Sequence, residues 1–464
     1  MTVTTHARVD SREVLARLID DLGDAVSTAA EAVDATRADK SGHFSEAAPL
    51  AVVTARSIED VQAVMRIATA TGTPVVTRGA GTGLAGGAIA NAGEIVLSTL
   101  AMNKLLEVSV DDELAVVEPG IINGDLNLQL EPHGLWFTPD PASRAISTVG
   151  GNIATNAGGL LCAKYGVTRE SILGLSVVMA DGRLMEFGHR TVKGVTGLDL
   201  TALMIGSEGT LGVIVGATVK LRRLIPGTVA VISARFETVD DAARAAAVIT
   251  SAGLRPAIME LIGESAMAGI SAHLRMEHLG GSRLVIQTDG PGAVQEAEAI
   301  FATITSLGGV GELSLDPAEG ERLFSIRRAF HPSMAALGTV LIEDVCVPRS
   351  QLPAMFAAIH EIEQKYDLII PTVAHAGDGN LHPNFVFDGE GEDGADVPAV
   401  IWAAADELFA AALRLGGTLT GEHGVGLLKR RWLREELGDD QLMLQKQIKD
   451  LFDPLGILNP GKVF

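Results

Sequence analysis

The sequence predicts an α+β fold, and three observations carry that prediction. Before about residue 225, short apolar strands are joined by long glycine-rich connections such as RGAGTGLAGG, Arg78 to Gly87, and TVGGNIATNAGG, Thr148 to Gly159. From about Pro226 the texture changes to strands alternating with alanine-rich helices: VAVISARF, VDDAARAAAVITSAG, PAIMELI, RLVIQTDG and GAVQEAEAIFATITSLGG. That order suits an antiparallel sheet with helices on one face. Two histidine motifs follow, AHAGDGNLHPN from Ala374 to Asn384 and GEHG from Gly421 to Gly424. Four regions result: an N-terminal helical segment, 1–46; a glycine-loop domain, 47–225; a second domain that includes the first histidine motif, 226–415; and a C-terminal segment, 416–464.

Each element has a local cause. Ser11 to Leu22 reads as a helix. In SIEDVQAVMRIATATG, Ser57 is an N-cap, acids occupy the first turn and Gly72 stands at the end, the signals of a capped amphipathic helix. PVVTR from Pro74 and EIVLS from Glu94 to Ser98 are strands, and the glycines of Arg78 to Gly87 lie between them. LAVVEPG is a further strand and DLNLQLEPHG a helix. TVGGNIATNAGG is too small and too rich in glycine for an ordinary helix or strand, and its small side chains let the backbone approach a flat ligand. VVMADGRL carries a hairpin turn at Asp181-Gly182. Farther on, IEDVCVPRSQL reads as a strand entering a helix, and DGEGEDGADVP, Asp388 to Pro398, as a solvent loop.

Composition excludes several classes. With 464 residues and 47% hydrophobic content the chain is long enough for large cores. Basic residues number 36 and acidic residues 58, and the net charge of -22 opposes nucleic acid and anionic membrane surfaces. An anionic substrate then needs a local basic group. Cys162 and Cys346 are the two cysteines, too few for an iron-sulfur cluster, which takes about four thiolates. Electrons generated here must leave through another protein, a quinone or oxygen. The polar start MTVTTHARVDSRE and the lack of an apolar run of about 18 residues predict a cytoplasmic protein, with peripheral attachment at the inner face of the membrane left open.

The chemistry lies in the motifs. His375 and His382 are seven residues apart, about 10.5 Å along a helix and on opposite faces of a single strand. To share an ion at bonds of roughly 2.0 to 2.1 Å they must fold back on each other, and Gly377 and Gly379 permit the turn. The stretch reads as a metal loop, with Glu422 as an oxygen ligand and His423 left to take a proton. Gly81, Gly83 and Gly86 match GxGxxG, but a nicotinamide site requires the motif to open a helix, and here it runs into a strand. Clustered backbone N–H groups still suit a pyrophosphate. In LFSIRRAF, Arg327 and Arg328 are paired, and one of them is a candidate fork for a substrate carboxylate.

RGAGTGLAGG, TVGGNIATNAGG, YGVTRE and IGSEGTLGVI, taken in order, resemble the FAD-binding domain of the vanillyl-alcohol oxidase and p-cresol methylhydroxylase superfamily. The likeness is to its branch of D-lactate dehydrogenase, the glycolate oxidase FAD subunit and D-2-hydroxyglutarate dehydrogenase, and it extends from about residue 47 onward. It implies a two-subdomain FAD-binding domain of PCMH type, an antiparallel α+β cap over the flavin and a helical C-terminal segment. Carried over residue by residue, Arg78, Gly79, Gly81, Thr82 and Gly83 lie along the FAD pyrophosphate; Ser147, Gly150, Gly151, Asn152, Ala154, Gly158 and Ile214 line the cofactor; and Asn459 returns toward the flavin. Relatives that attach flavin covalently carry a histidine in the first loop, and Thr82 here implies noncovalent FAD. Within the arginine pair the resemblance selects Arg327.

The expected activity is oxidation of a D-2-hydroxy acid, D-lactate or glycolate foremost, to the 2-oxo acid. Arg327 holds the carboxylate, Asn384 hydrogen-bonds the substrate and His423 acts as general base. A divalent metal on His375, His382 and Glu422, zinc first with manganese or iron as alternatives, grips the hydroxyl, and hydride passes to flavin N5. Implied partners are an electron acceptor, whether quinone, cytochrome, electron-transfer flavoprotein or iron-sulfur subunit, and a second copy in a homodimer. D-2-hydroxyglutarate is the alternative substrate, disfavoured because lysine is absent near Glu343 and Asp344. A zinc hydrolase is the rival class, and it leaves the glycine loops without a purpose.

Overall fold

The computed structural model describes residues 9–224, 227–277, 280–388 and 397–464. Most of the acidic link from Asp388 to Pro398, and the predicted domain boundary at Pro226, lie outside the described residues. The chain divides into two compact units: 1–157 with 167–224 and 422–464, and 158–166 with 225–421.

The first unit contains a four-stranded sheet in the order Val26–Ser27, Ala51–Thr54, Ile95–Ser98, Val75–Arg78. The last three strands are parallel to one another. Helix Ile58–Thr71 links two of them, capped as its sequence requires: Ser57 Oγ accepts from the Asp60 amide, and Gly72 is left-handed. Its face of Val61, Val64, Met65 and Ala68 shares a core with Val14 and Leu18 of helix Ser11–Leu22. The chain terminus closes this core. Ile457 and Leu458 are buried in it, and the Val75 amide donates to the Ile457 carbonyl.

The unit also contains a five-stranded antiparallel sheet, in the order Leu105–Ser109, Leu114–Val117, Val213–Lys220, Ile172–Val178, Leu184–Gly188. The last two strands are joined by the expected turn at Asp181-Gly182. One expectation is corrected here. TVGGNIATNAGG contains a helix, Val149–Thr155, despite its poor composition. Thr148 Oγ1 accepts from the Gly151 amide as N-cap, and Val149 and Ile153 are buried in the core of this sheet; capping and burial outweigh weak propensity.

The second unit is built on a sheet ordered Val310–Ser314, Ala230–Phe236, Ser282–Thr288, Ile258–Ile262, Thr372–His375, Asn380–Phe387, Thr339–Ile342, with Val345–Cys346 also paired to the sixth strand. Every pairing is antiparallel. Strand Ile258–Ile262 is buried along its whole length. The short segment 158–166 belongs to this unit: Leu160, Leu161 and Tyr165 pack against its core, the Tyr165 hydroxyl donates to Asp289 at 2.6 Å, and Lys164 pairs with the same carboxylate. No described helix is long and apolar enough to cross a membrane.

Candidate active site

The two histidines are brought together by strand pairing. Thr372–His375 and Asn380–Phe387 form a hairpin in which His375 faces Asn380 and Val373 faces His382. Residues opposite each other share a face, as do residues two apart, so both imidazoles emerge on one side of the sheet. Their ring centroids are 5.0 Å apart and nearly perpendicular. The turn depends on Gly379, whose φ is +94° and where a Cβ would stand 2.1 Å from the Val347 carbonyl oxygen. No other side chain fits there.

A buried acid orients one of these rings. Glu260, on the neighbouring strand and directly opposite His375 in register, has a fully buried side chain. Its Oε1 lies 2.7 Å from His375 Nδ1, and its Oε2 accepts from Arg327 Nε at 2.7 Å. Burial alone would raise the Glu260 pKa, but His375 and Arg327 more than offset this and hold it below the ordinary carboxyl value. Arg327 lies in the last turn of helix Pro317–Arg328 with 13% of its side chain exposed. Arg328 points outward, half-exposed and paired with Glu321. Asn384, buried in the same strand as His382, donates to the His382 carbonyl, and its Oδ1 has no partner among the described residues.

GEHG is positioned by two further acids. Asp344, fully buried, accepts from the Thr420 hydroxyl at 2.5 Å and from the Gly421 amide at 3.0 Å, which fixes the chain where it enters Glu422. His375 and His382, both in the second unit, each offer an imidazole nitrogen as a ligand atom, and Glu422, the carboxylate of the second motif, opens the last segment of the first unit. Beyond the motif, Glu208 accepts from the Val425 and Gly426 amides at 2.8 and 2.9 Å. Burial pushes the Glu208 pKa up to about 7, against those two N–H groups and Lys429. His423 Nε2 lies 3.9 Å from Glu422 Oε1. Two imidazoles and a carboxylate are the donor set that zinc and other borderline divalent ions take. With Nδ1 of His375 turned to Glu260, its other ring nitrogen, Nε2, is the one suited to an ion, so the residues fit a metal.

In the first unit the glycine loop follows strand Val75–Arg78. A Cβ on Gly79 would stand 2.3 Å from Thr148 Oγ1, so the first loop lies directly against the cap of helix Val149–Thr155. Gly81, Thr82 and Gly83 continue the loop, and the Gly83 carbonyl accepts from the Lys40 amide. Arg78 turns back from it. Its guanidinium donates to the carbonyls of Ala88, Ala38 and Ala35, so it braces the loop from behind. Asn459 likewise donates its amide to the carbonyls of Gly87 and Glu208, clamping the loop to the turn before strand Val213–Lys220.

Ser147 precedes helix Val149–Thr155, which carries Gly150, Gly151, Asn152 and Ala154; Ile214 lies on the neighbouring strand Val213–Lys220. Gly158 falls in the segment assigned to the second unit. Ser147 Oγ and Asn152 Nδ2 are buried with no partner among the described residues. A buried polar atom left so costs about 1–3 kcal/mol, and two beside a stripped-down loop fit a polar, flat cofactor. Glu260, Asp344 and Glu208 were not singled out in the sequence. Glu260 had a signal: an acid within the apolar run IMELI must find partners if that strand is central.

Comparison with known proteins accords with this geometry. Residues 49–188 match the model of an FAD binding domain, and residues 225–463 that of the C-terminal domain of FAD linked oxidases. The glycolate oxidase subunit GlcD of Bacillus subtilis is 38% identical, over 90% of this chain and 89% of its own. The D-lactate dehydrogenase of Archaeoglobus fulgidus is 35% identical, over 89% of this chain and 90% of its own. Among solved structures, p-cresol methylhydroxylase with substrate bound superposes with a TM-score of 0.78 at 17% identity, over 98% of each chain, which speaks to the fold. By these matches the chain is an oxidoreductase and belongs to the FAD-linked oxidases.

Proposed function

We propose that this enzyme oxidises a D-2-hydroxy acid, D-lactate or glycolate, to the corresponding 2-oxo acid, using noncovalent FAD and a divalent metal. The observation that carries the reading is the His375–Glu260–Arg327 constellation. One buried carboxylate holds both a metal-type imidazole and a guanidinium suited to an organic acid. The names of the relatives, a glycolate oxidase subunit and a D-lactate dehydrogenase, support the same substrate class.

Arg327 spends its Nε on Glu260, and its two terminal nitrogens remain for the substrate carboxylate in a forked pair. Asn384 hydrogen-bonds the substrate. His375 and His382 would hold the ion, with Glu422 as the oxygen ligand its motif implies, and His423 would take the hydroxyl proton as C2 gives up hydride. When bound, FAD supplies the hydride-accepting ring and the ion supplies Lewis acidity that lowers the pKa of the hydroxyl. The electrons then need an acceptor: a quinone, cytochrome, electron-transfer flavoprotein or iron-sulfur subunit.

Anaerobic flavin bleaching tests the reading. The purified protein bleaches with D-lactate or glycolate and not with L-lactate, and acid precipitation leaves the yellow colour in the supernatant. Preferential bleaching by D-2-hydroxyglutarate transfers the assignment to that acid. FAD-loaded protein that no 2-hydroxy acid bleaches overturns the reading, and flavin retained in the acid pellet overturns noncovalent binding.

A further inference from the structure

We propose that Glu260 is a positioning residue that serves two functions at once: it presents His375 to the metal and holds Arg327 for the substrate carboxylate. The inference deepens the reading above and rests on it. Three observations converge. Glu260 is the acid within a wholly buried strand, it stands opposite His375 in the strand register, and each of its oxygens is engaged at 2.7 Å, one by His375 Nδ1 and the other by Arg327 Nε. A neutral imidazole carries one N–H. Bonded to Oε1, that hydrogen resides on Nδ1 and leaves the Nε2 lone pair for an ion. The other oxygen fixes the plane of the guanidinium through Nε, so the orientation of the fork is set by the same carboxylate that sets the tautomer of the ligand.

A glutamine of the same shape cannot satisfy both neighbours, because it has one acceptor and one donor where the carboxylate has two acceptors. With its NH2 toward His375 it forces the hydrogen onto Nε2 and blocks the ligand position. With its oxygen toward His375 it sets donor against donor at Arg327. Glu260→Gln therefore lowers Zn2+ affinity, measured by competition with a chromophoric chelator, by about 10–100-fold, or raises KM for D-lactate at saturating Zn2+ more than it lowers kcat, or both. FAD content stays at the parental value. Glu260→Asp keeps both acceptors but falls one methylene short of its partners, and it is displaced from the parental values in the same directions.

A purely structural ion pair would lower the melting temperature and leave Zn2+ affinity and KM where they were. That outcome in Glu260→Gln overturns the proposal. Should the glutamine variant fail to fold, parental Zn2+ affinity and parental KM in folded Glu260→Asp overturn it equally. Failure of the functional reading is distinguishable, since the unmodified protein would then bind no Zn2+ at the site or would not bleach with any 2-hydroxy acid.

Discussion

The hairpin of the second unit and the glycine loops of the first solve opposite problems. Around His375 and His382, side chains are present and locked: a buried carboxylate engages a ring and a guanidinium, and Asp344 ties the chain at Gly421. Around Gly79 and Thr148, the missing side chain of a glycine lets the loop backbone lie against the Thr148 hydroxyl, and the polar atoms Ser147 Oγ and Asn152 Nδ2 are buried with no partner among the described residues. A site that performs proton chemistry needs atoms held in one orientation, whereas a site that accepts a large flat cofactor needs space and amide groups. Substitutions should therefore fail differently in the two regions. Those in the hairpin and GEHG should change rate and metal affinity, and those in the loops should change cofactor content.

The largest expected effect is at His423. Asparagine keeps the approximate size and hydrogen-bonding ability but cannot accept a proton near neutral pH. His423→Asn should slow flavin reduction by substrate at least ~100-fold, the lower end of what a positioned base contributes, with FAD and Zn2+ content unchanged. Stopped-flow reduction at the parental rate would remove His423 as the base, and loss of Zn2+ would exchange its role with that of Glu422.

On the other side of the comparison, Gly79→Ala places a methyl group 2.3 Å from Thr148 Oγ1 and displaces the N-cap of helix Val149–Thr155. The expected result is a lowered ratio of FAD to protein with a stability loss of about 1 kcal/mol, the usual worth of a cap. Absorbance ratios and thermal melts measure both. A variant that retains full FAD, or that loses Zn2+ affinity instead, breaks the distinction between the regions.

The smallest effect concerns pH. The Glu208 pKa is raised from 4.5 to about 7 in the folded protein, by burial. Between those values the folded state binds a proton that the unfolded state has released, so this group's contribution to stability falls as pH rises from about 4.5 to about 7 and is level outside that window. Glu208→Gln removes the titration, and denaturant midpoints measured across this range should show a flatter profile than the parent. An unchanged slope would mean that the Val425 and Gly426 amides keep the carboxylate ionised.

Much of what is local was legible in the residues. The Ser57 cap, the Gly72 stop, the Asp181-Gly182 hairpin and the glycine run between two strands are each encoded within a few positions, because hydrogen-bonding reach and backbone freedom act over that range. The His375 and His382 spacing, with its glycines, similarly required a fold-back. Helix Val149–Thr155 was hidden, because its composition argues against a helix while its cap and the burial of Val149 and Ile153 argue for one, and burial is a property of the folded chain.

By itself, then, the sequence determined the α+β class, the order of the elements, the donors available to a metal and the loops stripped for a cofactor. Tertiary structure alone decided how the charged groups are used. Glu260 meets Arg327 across 67 positions and His375 across 115, and Glu208 reaches Val425 across 217. The guanidinium of Arg78 is turned to the carbonyls of Ala35, Ala38 and Ala88, which lie up to 43 positions away. The physical reason is range: a cap or a turn is satisfied by its own neighbours, but a buried charge must be matched by whatever the strand register and topology bring beside it, and no short stretch of chain contains that information.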